Sequence, residues 1–210
     1  MPKDIINQIK PLNFLIKNLG IPIVKIPCIE ADDTIGILSK IENKKKNNVY
    51  ILTNDKDIYQ IINSKTFIMN NLYKIIDKKK IKKKYKIFPK NIPDFLSLVG
   101  DKSDNIPGVH SIGEKTAQIL IQKYGNLKNI YKNINKIHKL KIRNIKNILI
   151  NLKLTKKKIF FFLRLIKLNL NFKIDKKFKN LKLKKPNNKK LKEFFKKNQF
   201  KILKNYKNFY

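Results

Sequence analysis

Acidic side chains are scarce in this chain: 14 Asp and Glu stand against 50 Lys and Arg, a formal net charge of +36. Arginine is almost missing from the basic set, with only Arg143 and Arg164 present. Tryptophan is absent, and glycine and proline are few. The single cysteine, Cys28, excludes a disulfide within the chain and suits a reducing cytosol. Long apolar runs are also lacking. The most membrane-like stretch, Ile159 to Leu170, is too short to span a bilayer and is broken by Arg164 and Lys167, so no membrane partner is expected. No basic-then-apolar leader is visible at Met1-Pro2-Lys3-Asp4.

What is present supports a folded domain. Hydrophobic residues make up 42% of 210 residues, enough for one core with a helical appendage. Lys, Asn and Ile have A/T-rich codons, so part of the charge reflects mutational bias, whereas selection for phosphate contacts favours arginine. A field this positive still attracts polyanions whatever its origin. Charge therefore indicates a class of partner and no chemistry.

Apolar periodicity predicts a helix over 3–19, stopped by Gly20 and strained at Pro11, and a second over 31–42. Ile21 to Ile26 reads as a buried strand and 49–53 as a strong one. This helix–strand alternation implies an α/β fold, a parallel sheet with crossover helices. The lysine-rich stretch Asp77 to Lys86 reads as solvated. Helices are expected over 91–99, 114–124, 142–170 and 186–200. A boundary near residue 90 would divide an α/β part, 1–90, from an all-helical part, 91–210.

Seven of the few acids fall in three clusters: Glu30, Asp32 and Asp33; Asp55 and Asp57; Asp101 and Asp104. The first opens a helix, with Glu30 and Asp33 one turn apart. The second follows a strand at its carboxyl end, where open parallel sheets place ligands. The third ends the helix 91–99. Carboxylates gathered without cations repel and some protonate, so joint placement calls for a hard divalent cation with oxygen ligands, Mg²⁺ or Mn²⁺. Taken singly, each cluster also fits an ordinary role: helix-start acids favoured by the macrodipole, a polar turn, a loop.

The most specific run is Ile106-Pro107-Gly108-Val109-His110-Ser111-Ile112-Gly113-Glu114-Lys115-Thr116-Ala117. Its glycines permit tight turning and close backbone approach. A helix starting at Gly113 presents N–H groups suited to a phosphate, with Lys115 beside them. By itself the run also fits a structural turn between two helices. His110 and His138 stand 28 positions apart without companion ligands, and surface or hairpin roles are expected for them. Phe160, Phe161 and Phe162 read as core, and Cys28 as buried and inert.

Glu30-Ala31-Asp32-Asp33, Thr53-Asn54-Asp55-Lys56-Asp57, Gly100-Asp101-Lys102-Ser103-Asp104-Asn105-Ile106-Pro107-Gly108 and Gly113-Glu114-Lys115-Thr116-Ala117 stand in a recognisable order. The chain resembles the 5′-3′ exonuclease (5′ nuclease) domain of bacterial DNA polymerase I, in the flap endonuclease superfamily, across essentially its whole length. The resemblance implies a PIN-like α/β core followed by a helix-hairpin-helix region. It implies phosphodiester hydrolysis with two metal ions in replication and repair. The substrates implied are a 5′ flap or nicked duplex DNA and an RNA primer end. Glu30, Asp32 and Asp33 would serve one metal region and Asp55, Asp57, Asp101 and Asp104 the other. Gly108, Val109, Ile112, Gly113, Lys115 and Thr116 would bind DNA, with K⁺ as an option at the hairpin.

Members of that family begin earlier, with a strand bearing an aspartate and an arch that clasps the 5′ strand. The expectation is a truncated core, with a separately encoded nuclease segment or a polymerase as possible company. Asn54 replaces a usual glycine, and His110-Ser111 replaces a frequent Pro-Gly. The rivals are a non-catalytic DNA-binding remnant and, more generically, a basic RNA-associated protein. The latter leaves the acid clusters unexplained. Location with the nucleoid in a bacterial cytoplasm is expected.

Overall fold

The computed structural model describes residues 2–175, 178 and 181–200. They fall into two compact units, 1–28 with 173–210, and 29–172. The boundary expected near residue 90 lies within the second unit.

In the first unit, α1 (Lys3–Asn18) buries none of its residues despite its apolar spacing. Phe14 stacks on Phe194 of α8 (Asn188–Lys197) with ring centroids 5.5 Å apart. Gly20, at φ +78°, lies against the Lys184 carbonyl, where no Cβ fits. The strand expected at 21–26 does not form. Pro22 has no N–H to give, no ladder partner is present among the described residues, and Ile21 and Ile23 stay 42% and 45% exposed. Cys28, expected to be buried, is exposed and sits at φ +60°.

The second unit is built on a small sheet ordered β1-β2-β3, from β1 (Val49–Leu52), β2 (Thr66–Met69) and β3 (Ile75–Ile76). β1 and β2 pair in parallel, Ile51 opposite Ile68, and β3 returns antiparallel. The crossover between β1 and β2 contains a 3₁₀ turn, Asp57–Ile61, whose Ile58 and Tyr59 are buried. α2 (Ala31–Lys44) precedes the sheet and is tied to it through Thr66. That hydroxyl is fully buried and bonds Ser39 Oγ at 2.8 Å and the Asn43 amide at 2.7 Å. Burial of a hydroxyl is tolerable only with such partners.

Helices complete the core. The lysine-rich segment forms α3 (Lys78–Tyr85), its lysines exposed as expected, while Ile81 and Tyr85, four apart, turn inward together. Tyr85 packs edge-on to Phe95 of α4 (Ile92–Val99), which is 1% exposed. α5 (Glu114–Tyr124), α6 (Leu127–Lys132) and α7 (Ile145–Ile166) follow. α7 buries Ile148, Leu152, Ile159 and Ile166, one stripe of a long helix. Phe160 and Phe162 pack against this core while Phe161 is 50% exposed, so only part of the expected triplet is interior. No described helix is long and apolar enough to cross a membrane.

Candidate metal centre and phosphate-binding hairpin

Three chain segments bring acids to one region. Asp32 and Asp33 lie in the first turn of α2. Asp55 and Asp57 follow β1, where the Thr53 hydroxyl accepts the Asp55 N–H at 3.0 Å and the Asp55 carboxylate accepts the Asp57 N–H at 2.9 Å. Asp101 and Asp104 follow α4. The electrostatics show the convergence. Burial, then Asp55, Glu30, Asp33 and Asp104, push the Asp32 carboxyl above its ordinary value. Burial, then Asp55, Asp104, Asp101 and Asp32, push Asp57 from 3.8 to about 7. Neighbouring negative charges disfavour ionisation in this way.

Asp101 behaves in the opposite sense. Burial works to raise it, yet donation from the Ser103 hydroxyl and N–H and from Lys56 outweighs that and holds it below its ordinary value. Lys56 Nζ stands 3.2 Å from Asp101 Oδ2, and the contact holds the lysine charged. The Asp33 carboxylate accepts the N–H of Asn169 at 2.7 Å. Lys56, Ser103 and Asn169 were not singled out in sequence. Lys56 had a signal in standing between two acids, and Asn169 had none.

The donor chemistry, carboxylate oxygens crowded enough to repel, suits a hard divalent cation. Among the described residues, however, no three such side chains already stand as a ligating group. A cation would have to draw them together. Lys56 meanwhile neutralises one of them.

The second part of the site begins where the acid loop ends. Asp101 and Ile106 exchange backbone hydrogen bonds of 2.9 and 2.8 Å, closing a tight loop. Gly108, at φ +69°, then lies against the backbone of Val99 and Gly100, so an added Cβ would meet backbone atoms at 2.5 Å. Val109 N–H donates to Leu98 O at 2.8 Å, and Val109 and Ile112 are 4% and 5% exposed. These two side chains therefore anchor the hairpin in the core. Asn151 of α7 steadies it by donating to His110 O at 3.0 Å.

Gly113 differs from Gly108. It is the N-cap of α5 at φ −92°, no side chain caps the helix, and a Cβ there would meet nothing within 4 Å. Lys115 is exposed and Thr116 half-buried in the first turn. The fold does not require glycine at 113. What glycine does allow is close approach of another molecule to the helix N-terminus, where orphan N–H groups favour an anion.

This α/β and helical scaffold recurs in other solved structures. The catalytic core of Rad2 in complex with DNA substrate aligns at TM-score 0.63 and 20% identity, over 94% of this chain and 63% of that one. T5 5′-exonuclease with bound zinc aligns at TM-score 0.59 and 22% identity, over 69% and 52%. Those likenesses concern the fold. The family models of the 5′-3′ exonuclease match in sequence, its N-terminal resolvase-like domain over residues 1–86 and its C-terminal SAM fold over 87–189. Two curated 5′-3′ exonucleases of Buchnera aphidicola are each 44% identical. That from subsp. Baizongia pistaciae is matched over 93% of this chain and 65% of its own length, and that from subsp. Acyrthosiphon pisum over 98% and 70%. DNA polymerase I of Pseudomonas aeruginosa is 34% identical over 83% of this chain and 19% of its own length.

The chain belongs to the 5′-3′ exonuclease family. It spans about two thirds of the length of the Buchnera relatives.

Proposed function

We propose that the chain is a metal-dependent 5′ nuclease that hydrolyses DNA phosphodiester bonds at 5′ flaps, nicks or primer ends. The observation that carries this reading is the convergence of Asp32, Asp55, Asp57, Asp101 and Asp104 from three segments. Glu30, Asp32 and Asp33 would hold one Mg²⁺ or Mn²⁺ and Asp55, Asp57, Asp101 and Asp104 a second. Such ions supply an activated water and charge stabilisation at the leaving oxygen. The α5 N-terminus, with Gly113, Lys115 and Thr116, receives a duplex phosphate away from the cut. Gly108, Val109 and Ile112 hold that grip in place, and K⁺ is an option among the hairpin carbonyls. DNA is the partner proposed, in a bacterial cytoplasm, with a polymerase as a second partner given the DNA polymerase I relatives. In this scheme 1–90 supplies Glu30, Asp32, Asp33, Asp55 and Asp57, and 91–210 supplies Asp101, Asp104 and the grip.

The test is cleavage of a 5′-flapped duplex with Mg²⁺ against EDTA, in the parent chain and in Asp57→Asn. Metal-dependent cutting lost in the variant supports the reading. A second reading is favoured by the Lys56–Asp101 contact and by the spacing of the acids, which near one another as they are do not yet form a ligating group among the described residues. It holds that the converging carboxylates, no three of which among the described residues already stand as a ligating group, do not assemble a metal site, and that the chain binds DNA without cutting. Tight binding to flapped DNA with no cutting in either metal would select it.

A further inference from the structure

Away from the acids, residues 29–172 line two open concavities of about 1200 and about 520 Å³. They share Gln60, Ile61, Lys90 and Leu170 as walls and so adjoin as two lobes of one concave face, called the groove below. Lys82, Lys86, Lys128 and Lys167 line its larger end, Lys40 and Lys44 its smaller end, and Lys90 stands at the junction. The one carboxylate in these walls is Asp94, which accepts the Leu127 N–H at 2.7 Å and feels the Lys167 charge without forming an ion pair with it. None of the seven lysines is in an ion pair among the described residues.

In a chain this basic, the share of lysine in the walls decides nothing. Shape does. On a convex surface ammonium groups splay into solvent and salt screens them, whereas lining one concavity they add their fields where screening is weaker. The walls are also held by their own bonds. The Gln60 amide donates to Asp57 O at 2.8 Å and to Ile166 O at 2.9 Å, and that of Gln122 donates to Lys86 O at 2.7 Å. Phe88, 43% exposed, offers a ring with Lys82 and Lys78 ammonium groups 5.0 and 5.5 Å from its centroid. An aromatic face beside a track of cations is the combination that holds single strands, by stacking and by phosphate neutralisation. The groove also connects with the acids through α2. That helix bears Asp32 and Asp33 in its first turn, and its Gly36, Lys40 and Lys44 line the smaller end.

The geometry points to a groove for single-stranded nucleic acid, separate from the duplex grip at the hairpin. Its lysines neutralise successive phosphates, Phe88 takes a base, and α2 leads the strand toward the acids. The direction of travel rests on the nuclease reading; the binding does not.

The test is binding of a fluorescent oligothymidylate to the full chain in EDTA, across a salt series. The triple variant Lys90→Ala, Lys128→Ala, Lys167→Ala should lose affinity on the order of a hundred-fold near about 0.1 M salt, with the log–log salt slope falling by about two. A control triple, Lys74→Ala, Lys139→Ala, Lys153→Ala, removes the same charge outside the groove and should change little. Duplex binding should survive the groove triple and weaken in Gly113→Val, with oligothymidylate binding reversed between them. Equal losses in groove and control triples would overturn the proposal in favour of bulk charge. So would an oligoglutamate peptide displacing the oligonucleotide at equal charge concentration, which would mark an acidic protein ligand. If the triple variant melts early, Lys90→Gln and Lys128→Gln are read singly, each lowering the slope by about 0.7. With metal chelated, none of these outcomes depends on cutting, which Asp57→Asn tests separately.

Discussion

Replacing Asp57 by Asn should stabilise the protein in the absence of metal, and only above a particular pH. Burial and four neighbouring carboxylates move this group from 3.8 to about 7. An acid raised on folding holds its proton more tightly in the folded state. Its contribution is therefore fully present below the unfolded value of 3.8 and is lost as pH rises through about 7. The full move corresponds to roughly 4 kcal/mol. Asp57 is only half-buried, and allowing for solvent screening leaves about 2 kcal/mol. For a chain of this length that is a melting shift of roughly 4–8 °C. Melting curves in EDTA should thus separate Asp57→Asn from the parent by that amount at pH 8 and bring them together near pH 4. Mg²⁺ at pH 8 should raise the parent toward the variant, because the cation relieves the same repulsion. Curves for parent and variant that stay parallel from pH 4 to pH 8 would refute the idea that Asp57 sits among converging charges.

Other substitutions probe the same architecture. Gly108→Val should unfold or strongly destabilise the chain, since backbone lies 2.5 Å from the new Cβ at a positive φ, whereas Gly113→Val should leave the melting temperature unchanged and weaken duplex binding. Circular dichroism and anisotropy read the two effects independently. Lys56→Met should cost about 1 kcal/mol at pH 7 by leaving the nearly buried Asp101 without its cation, and urea titration measures it. Tyr131→Phe removes the hydroxyl that donates to Leu152 O at 2.8 Å and should cost about 1 kcal/mol by the same assay. Cys28, being exposed, should react with a thiol reagent in the native protein at the rate of a free thiol. Protection until denaturation would contradict its placement.

Much of the second unit was legible because its signals are local. The helix 114–124 has a glycine before it and apolar positions at helical spacing, and α5 has those bounds. The strand expected at 49–53 forms over Val49–Leu52, and the helix at 91–99 forms one residue later. What failed depended on distant partners. Ile21 to Ile26 has the composition of a strand and no neighbour to pair with. Thr66–Met69 has a neighbour, Val49–Leu52, yet is only four residues long and flanked by polar residues. In α3 two inward residues are masked by six lysines. The acids were legible as a set because so few exist, but their settings were not. Lys56 reaches Asp101 across 45 positions and Asn169 reaches Asp33 across 136. Neither contact leaves a mark on local spacing.

The contact of Gly108 with Val99 and Gly100 ties the acid loop and the hairpin into one piece of backbone, closed at its other side by the paired N–H and C=O groups of Asp101 and Ile106. Under the proposed function, that piece is a ruler. The interval between the carboxylates and the first N–H groups of α5 is set up to Gly108 by main-chain atoms packed on main-chain atoms, and from there by the buried side chains of Val109 and Ile112. Exchanging exposed side chains along it would change how tightly DNA is held and how fast it is cut. The position of the cut relative to the gripped phosphate would not move. Shifting it would take an insertion or deletion between Asp101 and Gly113, which changes the length of the ruler itself.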